Sequence, residues 1–193
     1  MAPFKPLLLL LVLFCFLIVC QEEKTTTPQN NLVYSNDSSI NINTLALSNF
    51  GPDPGENQYQ GHLKVLLLLS EGIRMSEDLN GMLYLKGKGF LLGIILYDAF
   101  AKGLTEGEYY IDLRPPYEIG EASIGFYTFS FDEALVDGPY FNYPGLALLG
   151  GKISIKNKQQ NVQLILDLID ENGKSITGKI EQNPTPFQYV LPF

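Results

Sequence analysis

Residues 161–178 read NVQLILDLIDENGKSITG, and this stretch decides the fold class. Val162, Leu164, Leu166 and Leu168 alternate with Gln163, Ile165, Asp167 and Ile169. A period of two belongs to a strand, because successive side chains on an extended backbone point to opposite faces. The run stops at Glu171-Asn172-Gly173-Lys174. Asn-Gly supplies two positions that tolerate positive φ, as a type I′ hairpin turn requires, so a strand over 161–169 is predicted to turn directly into one over 175–181.

The same grammar extends in both directions. Leu63, Val65, Leu67 and Leu69 alternate with His62, Lys64, Leu66 and Leu68, which reads as a strand polar on one face at its start and buried on both faces at its end. Tyr127, Phe129 and Phe131 alternate with Thr128 and Ser130, and Ile153 and Ile155 with Lys152, Ser154 and Lys156. Further strands are predicted near 32–35, 39–42, 45–50, 82–86, 89–97 and 108–113. No window carries a helical stripe with a cap at its start. Gly51-Pro52-Asp53-Pro54-Gly55, Asn80-Gly81, Pro115-Pro116 and the segment Pro139 to Pro144 punctuate the runs. Short sequential hairpins make neighbours in sequence neighbours in space. The expected fold is all-β: an antiparallel meander of about nine or ten strands, closing into a calycin-like barrel or, alternatively, folding into a two-sheet sandwich. Both architectures cover the two-faced segments Leu66–Leu69 and Leu91–Leu96.

The chain of 193 residues begins with a different kind of segment. Pro6 to Val19, PLLLLLVLFCFLIV, carries no charge. As a helix it rises about 21 Å, too short for a ~30 Å hydrocarbon core. With Lys5 before it and Cys20-Gln21-Glu22-Glu23 after it, it reads as a secretory signal. It resembles a lipoprotein signal, with Leu17, Ile18 and Val19 as the lipobox and Cys20 as the lipidated residue, although Val19 stands where a small residue is usual. The alternative is a plain signal peptide with an incidental cysteine. The resulting organisation is a signal at 1–19, a lipidated cysteine and flexible tether at 20–31, and a single β domain at 32–193. Loss of 1–19 removes Cys15, so no intramolecular disulfide remains and the domain rests on its core. The formal charge of −8 argues against a nucleic-acid partner, which demands a basic patch.

Few residues are equipped for chemistry. His62 is the single histidine, there is no G-x-S-x-G elbow, and His62 is read as a solvent-facing strand residue. Two cysteines and one histidine cannot build a soft-ligand metal site. Asp53, Glu56 and Asn57, and Asp170, Glu171 and Asn172, could offer oxygen ligands to calcium, but turn formation explains both groups. Asp112, Glu118, Glu121, Asp132 and Glu133 are candidates for a paired-carboxylate hydrolase, in a chain whose 21 acids make some pairing inevitable. Tyr109, Tyr110, Tyr117, Tyr140, Phe141 and Tyr143 lie near loops, either as contact residues or as core filling in a protein without tryptophan. Tyr140, Phe141 and Tyr143 are the candidate ligand contacts, since Asp137-Gly138-Pro139 and Pro144-Gly145 restrain the loop that holds them.

The order Leu69-Ser70-Glu71-Gly72-Ile73, Leu85-Lys86-Gly87-Lys88-Gly89, Gly107-Glu108-Tyr109, Gly150-Gly151-Lys152-Ile153 and Asp170 to Gly178 resembles small all-β lipoproteins of Bacteroidota without assigned activity. Glu22 and Glu23 behind the cysteine resemble the surface-export signal of that group. The resemblance implies an envelope lipoprotein held in the outer membrane by its lipid anchor, with no cofactor and no catalytic residues. The expected role is a binding or structural module, not an enzyme, with a glycan, a peptide or an envelope protein as partner. The alternatives are a carboxylate-dependent hydrolase acting on glycans and a subunit of a surface assembly.

Overall fold

A computed structural model of the chain describes residues 30–35, 38–52, 61–77, 83–114, 120–132 and 145–187. Cys20 and the signal, Asp53, Glu56 and Asn57, Tyr117 and Glu118, Glu133, and the segment with Tyr140, Phe141 and Tyr143 lie outside these described residues. Among the described residues the strands are β1 (Asn31–Tyr34), β2 (Ser38–Pro52), β3 (His62–Ser70), β4 (Ile73–Glu77), β5 (Leu83–Asp98), β6 (Gly107–Ile111), β7 (Glu121–Asp132), β8 (Leu146–Lys158), β9 (Asn161–Asp170), β10 (Ser175–Gln182) and β11 (Thr185–Pro186).

The alternation in β9 is realised from Leu164 onward: Val162, Leu164, Leu166 and Leu168 are buried and Ile165, Asp167 and Ile169 exposed, while Gln163, expected on the polar face, is buried and donates to Glu181 at 2.7 Å. Strand pairing runs β1-β10-β9-β8-β6-β7-β5-β3-β2, and β2 returns to β1, so the sheet closes on itself. The barrel alternative is therefore the fold, a closed mixed nine-stranded barrel. Its interior is filled by side chains such as Leu66, Ile94, Leu166 and Ile180, each at most 2% exposed. Burying each of these stabilises by about 1.5–3 kcal/mol.

Two features depart from a purely antiparallel meander. First, β6 is wedged between β7 and β8 and pairs in parallel with β7, through Tyr110↔Glu121 and Ile111↔Ala122. At one end β8 pairs β7 directly, through Leu146, Ala147 and Leu148. Further along, β8 pairs β6 through Lys152 to Ile155. The switch occurs at a bulge between Leu148 and Gly150. An extra residue in one strand reverses side-chain parity. Hence Leu148 is buried, Ile153 and Ile155 are buried, and Leu149 between them is half exposed.

Second, β5 belongs to two layers. Its first part, Leu83–Gly87, pairs with β4, and its remainder pairs with β3 and β7 in the barrel wall. The segment that sequence reading split at Gly87-Lys88-Gly89 is continuous, and the glycines mark a change of sheet. A Cβ on Gly72 would stand 1.9 Å from the Lys88 carbonyl oxygen, and one on Gly87 2.0 Å from that of Gly72. Only glycine permits two backbones to cross so closely. Beyond this crossing Ile73, Met75 and Leu85 pack onto the outward-facing Leu67, Leu69 and Leu91. Phe187, following β11, packs with Met75 onto Ala46 and Val65. The two-faced segments are thus covered from inside by the barrel core and from outside by β4 and the chain after β10.

The hairpin at 170–174 is tight but is not the expected type I′ turn, because Gly173 has φ 72° while Asn172 is absent from the positive-φ residues. The Gly173 N–H donates to the Asp170 carbonyl and the Asp170 N–H to the Lys174 carbonyl. That is a three-residue loop with glycine in the left-handed position. The Asp170 carboxylate holds it, accepting from the N–H groups of Asn172 and Lys174 at 2.9 and 2.7 Å.

Candidate functional site

Among the described residues, each end of the barrel holds one fully buried aspartate, Asp98 at the end of β5 and Asp170 at the end of β9. Three antiparallel steps separate these strands, β5 to β7, β7 to β8 and β8 to β9, so β5 and β9 run in opposite directions. Their last residues therefore lie at opposite ends.

At the Asp98 end, the inward row of β3 is His62, Lys64, Leu66 and Leu68, facing Asp98, Leu96, Ile94 and Leu92 of β5. Lys64 and Asp98 are both 0% exposed, and Lys64 Nζ lies 3.0 Å from Asp98 Oδ2. Burying two charges costs several kcal/mol unless the remaining polar atoms are satisfied. Here they are. Asp98 Oδ1 accepts from the Phe100 N–H at 3.0 Å and from the Thr105 hydroxyl. Oδ2 accepts from the Thr105 N–H at 2.9 Å and from the Tyr109 hydroxyl at 3.1 Å. Lys64 Nζ also donates to the Gly103 carbonyl. Burial pushes the Asp98 carboxyl upward, but these hydrogen bonds, led by the Thr105 hydroxyl, outweigh it and hold the group below the usual carboxylate range. The pair thereby fastens the 99–106 segment across the barrel end, with Leu104 buried in the core and its carbonyl accepting from Asn157 Nδ2 at 3.0 Å.

At the Asp170 end, the same carboxylate that holds the β9–β10 hairpin also reaches into the barrel. Tyr127 on β7 donates its hydroxyl to Asp170 Oδ2 at 2.5 Å, and Tyr34 on β1 does so at 3.3 Å. Burial and this hydrogen bond push the Tyr127 phenol well above its ordinary value. Burial raises Asp170, and the Tyr127 hydroxyl and the two hairpin N–H groups more than reverse that. The two tyrosine rings are tilted at 51° with centroids 5.8 Å apart, the Phe90 ring lies 6.3 Å from that of Tyr127, and Lys174 Nζ sits 5.5 Å from the centroid of the Tyr34 ring. Three strands and a hairpin meet at this group.

Sequence reading placed several of these residues differently. The polar face at the start of β3 turns inward, so Lys64 is buried inside one end of the barrel. His62 was read as solvent-facing and is half buried, its Nδ1 enclosed without a hydrogen-bond partner. Alternation gives the parity of a strand but not which parity faces inward, and β3 has apolar residues on both faces. Tyr109 is 2% exposed and structural, whereas its neighbour Tyr110 is 51% exposed on the outer wall. Asp170, grouped with Glu171 and Asn172 as a turn former, is both that and a buried acceptor. Asp112 is bridged to Arg114 at 3.2 Å on the surface, an arrangement that lowers its pKa. Asp98 was not singled out at all. The one signal for it was its position opposite His62-x-Lys64, and that required the register.

No family model, curated protein or solved structure matches the chain. Geometry and chemistry alone carry the functional reading. What the two ends can do chemically is limited by saturation: both buried carboxylates are ionised acceptors whose donors come from the fold itself.

Proposed function

We infer that the chain is a lipid-anchored module of the cell envelope that binds a partner with the barrel end farthest from its tether, and that it does so without catalysis. The observation that carries this reading is strand direction. β1 is antiparallel to β10, and β10 to β9, so β1 runs with β9 and starts from the Asp98 side. Asn31, the first residue of β1, therefore lies toward that side. β7 also runs with β9, so the connection bearing Tyr140, Phe141 and Tyr143 is attached at the Asp170 end. An anchored barrel would present that end outward. Loops on a rigid scaffold are where binding residues concentrate, and aromatic side chains are favoured anchors.

At Asp112 and at the two buried aspartates, binding is favoured over hydrolysis. A general acid needs a raised pKa, and Asp98, Asp112 and Asp170 are all shifted downward. The outer wall of β8 to β10 mixes the charged Lys152, Asp167 and Lys179 with the exposed Leu149, Ile165 and Ile169. The partner is a glycan, a peptide or an envelope protein.

Two experiments test the reading. Cys20→Ser should move the protein from the membrane to the soluble fraction; unchanged membrane association removes the anchor. Tyr140→Ala with Tyr143→Ala should abolish capture of a glycan on an array, or of an envelope component, with thermal stability retained. A fall in melting temperature of several degrees, on the scale of ~1 kcal/mol or more, makes the rings structural and defeats the proposal.

A further inference from the structure

Lys64 and Asp98 meet under conditions in which an ammonium and a carboxylate can do more than attract. Both are 0% exposed, their reacting groups are 3.0 Å apart, and they stand diagonally on adjacent strands of a closed barrel. We propose that Lys64 and Asp98 condense to an isopeptide bond that staples β3 to β5 inside the barrel.

The step balances without a cofactor: an ammonium and a carboxylate give one amide and one water. A proton passes from Lys64 Nζ to Asp98 Oδ2, leaving an amine beside a carboxylic acid. The amine nitrogen bonds to Cγ, and charge gathers on Oδ1. That oxygen already accepts from the Phe100 N–H at 3.0 Å and from the Thr105 hydroxyl. Donors fixed where negative charge develops are the arrangement that stabilises a tetrahedral intermediate. The hydrogen bonds that keep Asp98 ionised at rest become hydrogen bonds to the oxyanion. The Cγ–Oδ2 bond then breaks, and Oδ2 leaves as water with its own proton and one more from nitrogen. The Tyr109 hydroxyl, 3.1 Å from Oδ2, is placed to relay that second proton. The Gly103 carbonyl holds Nζ on the approach side. Folding supplies the high effective concentration that such a condensation needs.

The test is peptide mapping of the purified full chain by trypsin and tandem mass spectrometry. The expected main species is a branched peptide joining the Lys64 and Asp98 segments, lighter than the two linear peptides by one water and uncleaved after Lys64. Lys64→Arg, which keeps the charge but not the nucleophile, should show only linear peptides. Linear peptides with free Lys64 and Asp98 as the main wild-type species overturn the proposal. So does a water loss that maps elsewhere, for instance to Asp137-Gly138, or a branched species that persists in Lys64→Arg. The wild-type digest decides by itself if the variant does not fold.

Discussion

Tyr127 donates a hydrogen bond from its hydroxyl to Asp170 Oδ2 at 2.5 Å across the inside of the barrel, joining β7 to the β9–β10 hairpin. The contact is made between two fully buried side chains 43 positions apart. One acidic side chain thus does two jobs: it shapes a local turn and fixes a distant strand. A hydrogen bond to a charged acceptor contributes more than a neutral one, about 1.5–3 kcal/mol.

Tyr127→Phe keeps the ring contacts with Tyr34 and Phe90 and deletes only this donor. Urea unfolding should show a loss of about 1.5–3 kcal/mol, with the melting temperature lower by several degrees. Tyr34→Phe, whose hydroxyl is at 3.3 Å and partly buried, should cost less. Equal losses for the two would contradict the central role given to Tyr127.

The ion pair at the other end predicts an asymmetry. Asp98→Ala strands the Lys64 ammonium and leaves the Thr105, Phe100 and Tyr109 donors without their acceptor, so a loss of about 3–5 kcal/mol is expected. Lys64→Met leaves Asp98 with four hydrogen bonds from the 99–106 segment and Tyr109, and fills the space with a side chain of similar length. Its loss should be smaller. The order holds for the ion pair and for the linked pair alike, and a reversed order in denaturant melts would show that Asp98 is not the hub of this end.

These two ends mark the limit of what the sequence discloses. Period-two alternation located β3, β7, β8 and β9, because each commits a face to the core, and the Asn172-Gly173 turn placed β10. The two-faced runs Leu66–Leu69 and Leu91–Leu96 announced a second covering layer, and it exists. What covers them was not legible: β4 is five residues long and β11 is two, with a proline, so neither stands out as a strand. β2 was read as two strands, 39–42 and 45–50, because its register shifts between Ile42 and Thr44 break the alternation without ending the strand. The buried polar residues were the least visible. Lys64, Asp98 and Asp170 have the composition of surface residues, and only closure of the barrel and its register turn them inward.

Adjacent glycines give a sharp contrast. Gly151 has φ 105°, and a Cβ there would lie 2.1 Å from the Asp167 carbonyl oxygen; a Cβ on Gly150 meets nothing within 4 Å. Gly151→Ala forces β8 away from β9 at the bulge where the wall changes partners, and should lower stability by more than about 1 kcal/mol, beyond the cost of the backbone angle alone. Gly150→Ala should be close to neutral, within about 0.5 kcal/mol, as for an unconstrained surface position. Thermal melts of the two single variants check this directly, and similar melting temperatures would mean that the bulge is looser than its geometry.

The last prediction concerns acid. The Asp170 pKa is lowered in the folded barrel relative to its ordinary value of 3.8, through the Tyr127 hydroxyl and the hairpin N–H groups acting against burial. A depressed folded value means that the unfolded chain binds the proton more readily, so stability falls wherever protonation proceeds. The contribution of Asp170 should be fully present from pH 7 down to about 5, decline as the pH passes about 4, and be lost below the folded value. Asp170→Asn cannot titrate there. The stability difference between wild type and Asp170→Asn, measured by urea melts across pH, should therefore be largest near neutrality and shrink on acidification. Carboxylates elsewhere, such as Glu108 and Glu181, titrate in both proteins and cancel in the difference. A difference that stays constant down to pH of about 3 would place the contribution of Asp170 in packing and turn shape alone, and not in its charge.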